Sequence, residues 1–199
     1  ELKKNIFPIL FHSALLNLPL IDYSLNNPKI INISRHPVDL IGSWVRKNYG
    51  KKSTYSKSIT TVCNYNYKSH SLPFFCLGIE KEFIKQKSNE DRIVKMIYNL
   101  DIKFKKNYLK SKNKKNICLI KLDHFVSEPK KYLKVLCNKF GLRENNFSDI
   151  VLKEQRCPRK INLVERKINK EIIFSRLSEE NQKILNTMII NYEKNELTF

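Results

Sequence analysis

The sequence has little glycine and no long apolar run, and each shortage excludes a kind of site. Only 4 of its 199 residues are glycine, too few for a glycine-rich loop whose backbone amides cradle a phosphate. No run approaches the roughly 20 apolar residues that a membrane-spanning helix needs. The most apolar stretch, residues 6–20, also has no charged n-region and no small-residue cleavage site, which argues against a secretory signal peptide.

The cysteines show neither a disulfide pattern nor a metal-binding pattern. There are five of them, an odd number, with no Cys-x-x-Cys pair and no Cys/His spacing typical of zinc. Cys118 and Cys137 lie in apolar runs, where a free cysteine behaves as a small hydrophobic residue. We therefore expect a reducing, cytoplasmic location, no structural metal and no membrane span.

Acidic residues are half as numerous as basic ones, 19 against 38, which leaves a net charge of +19. One interpretation is a protein that binds a polyanion. The other is compositional drift, because lysine, asparagine and isoleucine are abundant along the whole chain, as AT-rich codons would produce. We favour drift, and a phosphate-bearing ligand is compatible with both.

Apolar residues make up 41% of the chain, enough to predict one folded domain over residues 1–199. Strands that alternate with helices and have continuous apolar cores favour a parallel sheet covered on both faces. Because few strands are visible, the missing ones are expected upstream of Glu1. Strands are predicted at 5–11, 29–34 and 117–122, and helices at 37–48, 77–86, 89–110, 129–140, 143–153 and 178–194. Loops are predicted at 15–27 (or a short helix), 51–71, 123–128 and 155–170.

The segment from Ile30 to Ser43 carries the strongest functional pattern. Arg35 follows a predicted buried strand, and ligands bind at the carboxyl ends of strands in open α/β sheets. Its planar guanidinium matches a phosphate, and the N-terminus of the next helix adds free N–H groups and a positive dipole end. Ser43 lies about two turns inside that helix, where its hydroxyl could reach the same phosphate. The spacing alone also fits a surface arginine and an ordinary helical serine.

Two neighbours of Arg35 have simpler interpretations. His36 is interpreted as a turn residue or a helper to a nucleotide pocket. Asp39 is interpreted as a carboxylate that stabilises the first turn of the helix.

The stretch Arg35-His36-Pro37-Val38-Asp39, taken with Ser43, resembles the signature with which sulfotransferases hold the 3′-phosphate of 3′-phosphoadenosine 5′-phosphosulfate (PAPS). In that family an arginine ends the strand, proline and aspartate follow at these offsets, and a serine comes eight residues after the arginine. The resemblance implies that Arg35 and Ser43 bind the 3′-phosphate. It also implies a P-loop-like α/β fold, a three-layer parallel sheet flanked by helices.

Flanking segments extend the resemblance over roughly residues 7–142. His12 precedes Arg35 by nearly the spacing at which the family places a catalytic histidine, which implies that His12 is the base that takes the acceptor proton. The alternatives are a polar strand end without a catalytic task and a base supplied by an upstream carboxylate. Downstream, residues 122–129 and 139–142 are similar to the family's later strand, proline and helix end.

The chain also departs from the family pattern. The glycine-rich loop that holds the 5′-phosphosulfate is absent, Leu10 stands where a lysine is expected, and Leu122 stands where a tyrosine is usual. Arg159-Lys160 and Arg166-Lys167 echo the family's late Arg-Lys-Gly element without its glycine. Since the chain begins with Glu1 rather than Met, we expect an N-terminally truncated domain, lacking its first strand and phosphate loop and inactive alone.

The resemblance therefore implies an enzyme that transfers a sulfonate group from PAPS to a hydroxyl or amine acceptor, with carbohydrate preferred. Residues 51–71, with Tyr55, Tyr65 and Tyr67, fall where the family places the cover of the acceptor side. Two alternatives stay open: a non-enzymatic basic protein that binds nucleic acid or another polyanion, and a transferase with a different phosphate-bearing donor. No motif specific for nucleic acid appears, and the sequence does not indicate an oligomeric state.

Overall fold

The computed structural model describes residues 14–50 and 64–194. Two strands form a parallel pair, β1 (Ile30–Ser34) with β4 (Ile117–Lys121), in a register that sets Ile30 opposite Ile117 and Ser34 opposite Lys121. A separate antiparallel hairpin joins β2 (Asn64–Tyr67) to β3 (His70–Pro73). Parallel strands cannot be joined by a tight turn, so a long connection that includes helices separates β1 from β4.

Helices make up most of the described chain. They are α1 (Leu18–Ser24), α2 (Pro37–Arg46), α3 (Glu80–Lys85), α4 (Asn89–Lys110), α5 (Leu122–Ser127), α6 (Pro129–Phe140), α7 (Phe147–Glu154), α8 (Leu163–Phe174) and α9 (Glu179–Glu193). No helix in residues 14–50 or 64–194 is long and apolar enough to cross a bilayer. The predicted mixed α/β class is confirmed. The three-layer parallel sheet stays a prediction, because the described residues contain one parallel pair of strands.

The core is built around α4, whose bounds agree with the predicted helix 89–110. Its fully buried residues Ile93, Met96 and Ile97 recur at helical spacing and form one cluster with Ile41 of α2 and Leu185 of α9. A helix of this length stabilises the fold through its packed face more than through intrinsic propensity. Contacts of α2 with α4, α8 and α9 hold the start of α2 at the carboxyl end of β1.

Three predicted loops contain regular structure instead. Residues 123–128 lie mostly in α5, which is too short to show a helical period. Residues 163–170, inside the predicted irregular segment 155–170, belong to α8. Residues 64–71, inside the predicted loop 51–71, lie in the β2–β3 hairpin, whose turn places Lys68 at a φ of 53°.

The other expectations for loops and turns vary in outcome. The short helix allowed within residues 15–27 is confirmed as α1. Gly141 ends α6 in the left-handed conformation at a φ of 65°, as expected of a glycine at that position. The predicted strand 5–11, and residues 51–63 of the predicted cover loop, lie outside the described residues.

Candidate phosphate-binding site

A polar cavity of about 310 Å³ lies at the carboxyl ends of β1 and β4. Four parts of the chain form its walls: Arg35 with one face of α2, the helix α5, the segment 159–162 and the first turns of α8. Its lining residues are Arg35, Val38, Asp39, Gly42, Arg46, Leu122, Asp123, Val126, Arg159, Lys160, Ile161, Asn162, Glu165, Arg166 and Asn169. This is the edge at which open parallel sheets bind their ligands.

Arg35 reaches this cavity because β1 ends one residue before it and α2 begins two residues after it. Pro37 occupies the first helical position, where its fixed φ suits the helix and its missing N–H is not needed. The Nδ1 atom of His36 accepts a hydrogen bond from the backbone N–H of Val38 at 3.3 Å, which closes the turn. Within the part of the chain that the structure describes, the exposed Arg35 side chain has no ion-pair partner, so its guanidinium is available to a ligand.

Three further basic side chains, from Arg46, Arg159 and Lys160, line the same cavity. The backbone N–H of Arg159 donates to the carbonyl oxygen of Val126 at 2.8 Å, which fixes the segment 159–162 beside α5. Counting Arg166, five basic side chains face three carboxylates in the lining, an excess of two positive charges. Such a cavity favours an anionic ligand.

Arg166 of α8 holds both aspartates of the cavity. Its Nη2 and Nε atoms lie 2.6 and 3.1 Å from Oδ2 of Asp39, and its Nη1 atom lies 2.9 Å from Oδ2 of Asp123. The three side chains are only 12, 23 and 17% exposed. Burial alone would lower the pKa of Arg166, but the hydrogen bonds and charges of the two aspartates raise it. Asp39 therefore does more than stabilise the first turn of α2, because it anchors α8.

His36 lies behind the cavity wall and is 6% exposed. Its ring meets the ring of Tyr192 edge-on, with centroids 5.1 Å apart. Burial, together with the positive charge of Arg166, lowers the pKa of His36 to about 4. The imidazole is therefore neutral at pH 7, and His36 shapes the turn before α2 rather than adding charge to the cavity.

The structure places the predicted residue Arg35 in one cavity with Arg159, Lys160 and Arg166, although more than a hundred residues separate it from them. In the sequence, these three residues lie in segments that only echo the family's late Arg-Lys-Gly element. Ser43 is half-buried on α2 and does not line the cavity, whose α2 face consists of Val38, Asp39, Gly42 and Arg46. His12 lies outside the described residues.

Two carboxylates in the site had a common signal that sequence reasoning missed. Asp39 and Asp123 each lie in the first turn of a helix that follows a parallel strand. Ends of neighbouring parallel strands meet at one edge of a sheet, so these carboxylates were placed to share a partner. The partner, Arg166, is 127 residues from Asp39, and nothing local in the sequence indicates that it pairs with these carboxylates.

The β2–β3 hairpin contains part of the segment 51–71, which is predicted to cover the acceptor side. The Tyr65 hydroxyl donates to Oε1 of Glu80 at 2.9 Å, and burial together with that carboxylate raises the pKa of Tyr65. Tyr65 thus ties the hairpin to α3. Tyr67 is half-buried against the main core, and Tyr55 lies outside the described residues.

Among the described residues, no group of three His, Cys, Asp or Glu side chains is arranged to hold a metal ion. Comparisons of the chain with protein-family models, with curated proteins and with solved structures find no match.

Proposed function

We propose that the cavity binds the 3′-phosphate of a 3′-phosphonucleotide, as part of a sulfotransferase that moves a sulfonate group from PAPS to a hydroxyl or amine acceptor. The observation that carries the proposal is the convergence of Arg35, Arg159 and Lys160 on one cavity at the ends of two parallel strands. In the described part of the chain, these three side chains have no carboxylate partner. A phosphate dianion would supply the charge and the acceptor oxygens that they lack.

The anchor would position the donor for reaction. Sulfonate transfer needs the donor held in line with the acceptor, a base for the acceptor proton, and positive groups near the departing phosphate. Arg35 and its neighbours would fix the nucleotide through the 3′-phosphate, remote from the sulfur. The proposed base is His12, which as a neutral imidazole could accept a proton directly.

The remaining parts of the proposal rest on the resemblance described above. Ser43 lies beside the cavity rather than in its lining, and its proposed hydrogen bond to the 3′-phosphate is supported by the resemblance alone. The same holds for the three-layer sheet to which the parallel pair of strands is proposed to belong. The four glycines of this sequence provide no cradle for the 5′-phosphosulfate. Binding of the 3′-phosphate is therefore the function proposed for these residues in the transfer reaction, and a carbohydrate is the preferred acceptor.

Isothermal titration calorimetry with adenosine 3′,5′-bisphosphate tests the proposal. We expect micromolar binding that Arg35→Ala weakens by at least about 30-fold, because a charge-assisted pair to phosphate is lost. Adenosine 5′-monophosphate, which lacks the 3′-phosphate, should bind about as weakly to the unmodified protein. Ser43→Ala is expected to have the smaller effect of a neutral hydrogen bond, about fivefold.

Arg143→Ala is the matched control, because this exposed arginine lies in the turn after α6 and does not line the cavity. It removes the same charge and should leave the affinity unchanged. Equal losses in the Arg35 and Arg143 variants would contradict a specific site. Tight binding to any DNA, lost steeply as salt increases and indifferent to the nucleotide, would instead support the polyanion-binding function that the net charge of +19 permits.

A further inference from the structure

The proposed phosphate cavity contains two carboxylates that would oppose its ligand. Asp39 and Asp123 both line the cavity, and each lies in the first turn of a helix that starts beside it. Unpaired carboxylates a few ångströms from a phosphate would repel it, since like charges in a partly buried site are weakly screened. An anion site built this way needs a group that cancels them.

We infer that Arg166 is a positioning residue that masks Asp39 and Asp123, so that Arg35, Arg159 and Lys160 are left to attract the phosphate. This inference rests on the proposed function. Arg166 has five N–H donors, and contacts to the two aspartates engage its Nε, Nη1 and Nη2 atoms. Its side chain is 12% exposed, whereas Arg35, Arg159 and Lys160 are exposed.

The same contacts determine the position of the cavity wall. Arg166 lies in the second turn of α8, and its two partners belong to α2 and α5. The three-element bridge therefore holds the start of α8, and with it the segment 159–162, over the end of β1. Asn162 caps α8 by accepting from the Glu165 backbone N–H at 3.0 Å, and its own amide donates to Oε2 of Glu165 at 3.2 Å. Glu165 is thereby partly engaged within its own helix.

The competing explanation is that Arg166 binds the phosphate directly and releases its aspartates to do so. Two variants separate the explanations. Arg166→Gln uncovers both carboxylates and should weaken binding of adenosine 3′,5′-bisphosphate by at least about tenfold. Adding Asp39→Asn and Asp123→Asn to Arg166→Gln removes the repulsion and should restore the affinity to within about threefold of the unmodified protein if Arg166 acts by masking.

Failure of the triple variant to regain affinity, with thermal unfolding showing it folded, would overturn the masking role. Arg166→Lys serves as the conservative variant. It keeps the charge but loses the planar fork, so binding should lie between the unmodified protein and Arg166→Gln.

A measurement without nucleotide tests the role of Arg166 independently of the proposed function. The ring of His36 faces Tyr192 and feels the charges of Arg166, Asp39, Asp123 and Lys170. Proton NMR titration of the His36 ring should give a pKa that is higher in Arg166→Gln than in the unmodified protein, because a nearby cation is lost while both carboxylates remain. In the triple variant the pKa should fall back. An unchanged His36 pKa would overturn the inference, whereas absent nucleotide binding with the expected titrations would overturn only the proposed function.

Discussion

Gly50→Ala is expected to lower the free energy of unfolding by about 3 kcal/mol, among the largest effects of a single added methyl group. A Cβ atom at Gly50 would lie 2.3 Å from the backbone oxygen of Asn89 and 2.4 Å from its Oδ1 atom. Asn89 is the first residue of α4, so its backbone cannot yield without moving the main core helix. The carbonyl of Gly50 also accepts a hydrogen bond from Nη1 of Arg92 at 3.1 Å, which the displacement would stretch or break.

Thermal unfolding followed by circular dichroism would measure this change, with a decrease in Tm of about 6–12 °C for a chain of this length. Gly42→Ala is the matched control, because a Cβ atom there meets its nearest neighbours at 3.6 and 3.9 Å, which is ordinary contact. It also lies inside α2, where alanine stabilises a helix by about 0.5–1 kcal/mol relative to glycine. The two substitutions should thus shift Tm in opposite directions. If the Gly50→Ala protein were as stable as the unmodified protein, the close packing of Gly50, which follows α2, against the start of α4 would be contradicted.

Asp91→Ala is expected to cost about 3–4 kcal/mol of stability, because it leaves buried donors without their charged acceptor. Asp91 is 4% exposed. Its Oδ1 atom accepts from the Ser178 backbone N–H at 2.9 Å, from the Ser178 hydroxyl at 3.1 Å and from Nδ2 of Asn181 at 2.7 Å. Its own N–H donates to Oγ of Ser88 at 2.9 Å, so one residue joins the start of α4 to the start of α9.

Chemical denaturation at pH 7 would measure the loss in Asp91→Ala. Asp149→Ala is the control, since the Asp149 carboxylate is 69% exposed and pairs with the exposed Lys130, so the denaturation midpoint of this variant should stay within experimental error of the unmodified protein. If the two substitutions had equal effects, the buried junction of α4 and α9 would be contradicted.

The Asp91 carboxylate makes the free energy of unfolding depend on pH in the acidic range. Burial alone would raise the pKa of Asp91, but the hydrogen bonds from Ser178, Asn181 and Ser88 outweigh it and hold the pKa below the ordinary value. Because the unfolded chain takes up this proton first, near pH 4, the stabilisation is complete above that pH and is lost as the pH falls towards the folded pKa. The stability difference between the unmodified protein and Asp91→Asn should therefore shrink from pH 5 to pH 3. A constant difference would mean that Asp91 titrates normally.

Elements with strong local signals were predictable from the sequence. The bounds of α4 follow from its apolar residues at spacings of three and four, and those of α6 from Pro129 at its first position and Gly141 beyond its last. The turn from β1 into α2 follows from Pro37 and Asp39 directly after an apolar strand. In each case the residues that define the element are close in sequence and act on their own backbone.

Elements held by distant partners were not predictable in this way. The first turns of α8 bury no apolar residue, since Leu163 and Val164 are exposed, and these turns are held by the contact of Arg166 with Asp39 and Asp123. The helix α5 is six residues long, too short for an apolar period to appear, and only its Val126 is buried. Since nothing local distinguishes such segments from loops, their structure follows from the assembled core.

The same distinction between local signals and distant partners applies to the candidate site. Arg35 could be assigned from its position between a strand and a helix, whereas Arg159-Lys160 only echoes a family element and could not be assigned. Their convergence on one cavity, and the pairing of two carboxylates by one arginine, depend on the spatial order of strands and helices. The placement of Ser43 beside rather than within that cavity likewise depends on how α2 is rotated against α8.

NMR shift mapping tests whether the cavity at the ends of β1 and β4 binds a 3′-phosphonucleotide, as proposed. Addition of adenosine 3′,5′-bisphosphate to the isotope-labelled protein should shift the backbone amides of Arg35, Gly42, Ile161 and Asn162, which surround the cavity. The amides of Asn26 and Asn113, in a polar depression formed by other elements, should not move. The proposed site would be contradicted if the chemical shifts of the cavity amides did not change. It would also be contradicted if shift changes spread over lysine-rich surfaces and vanished with added salt.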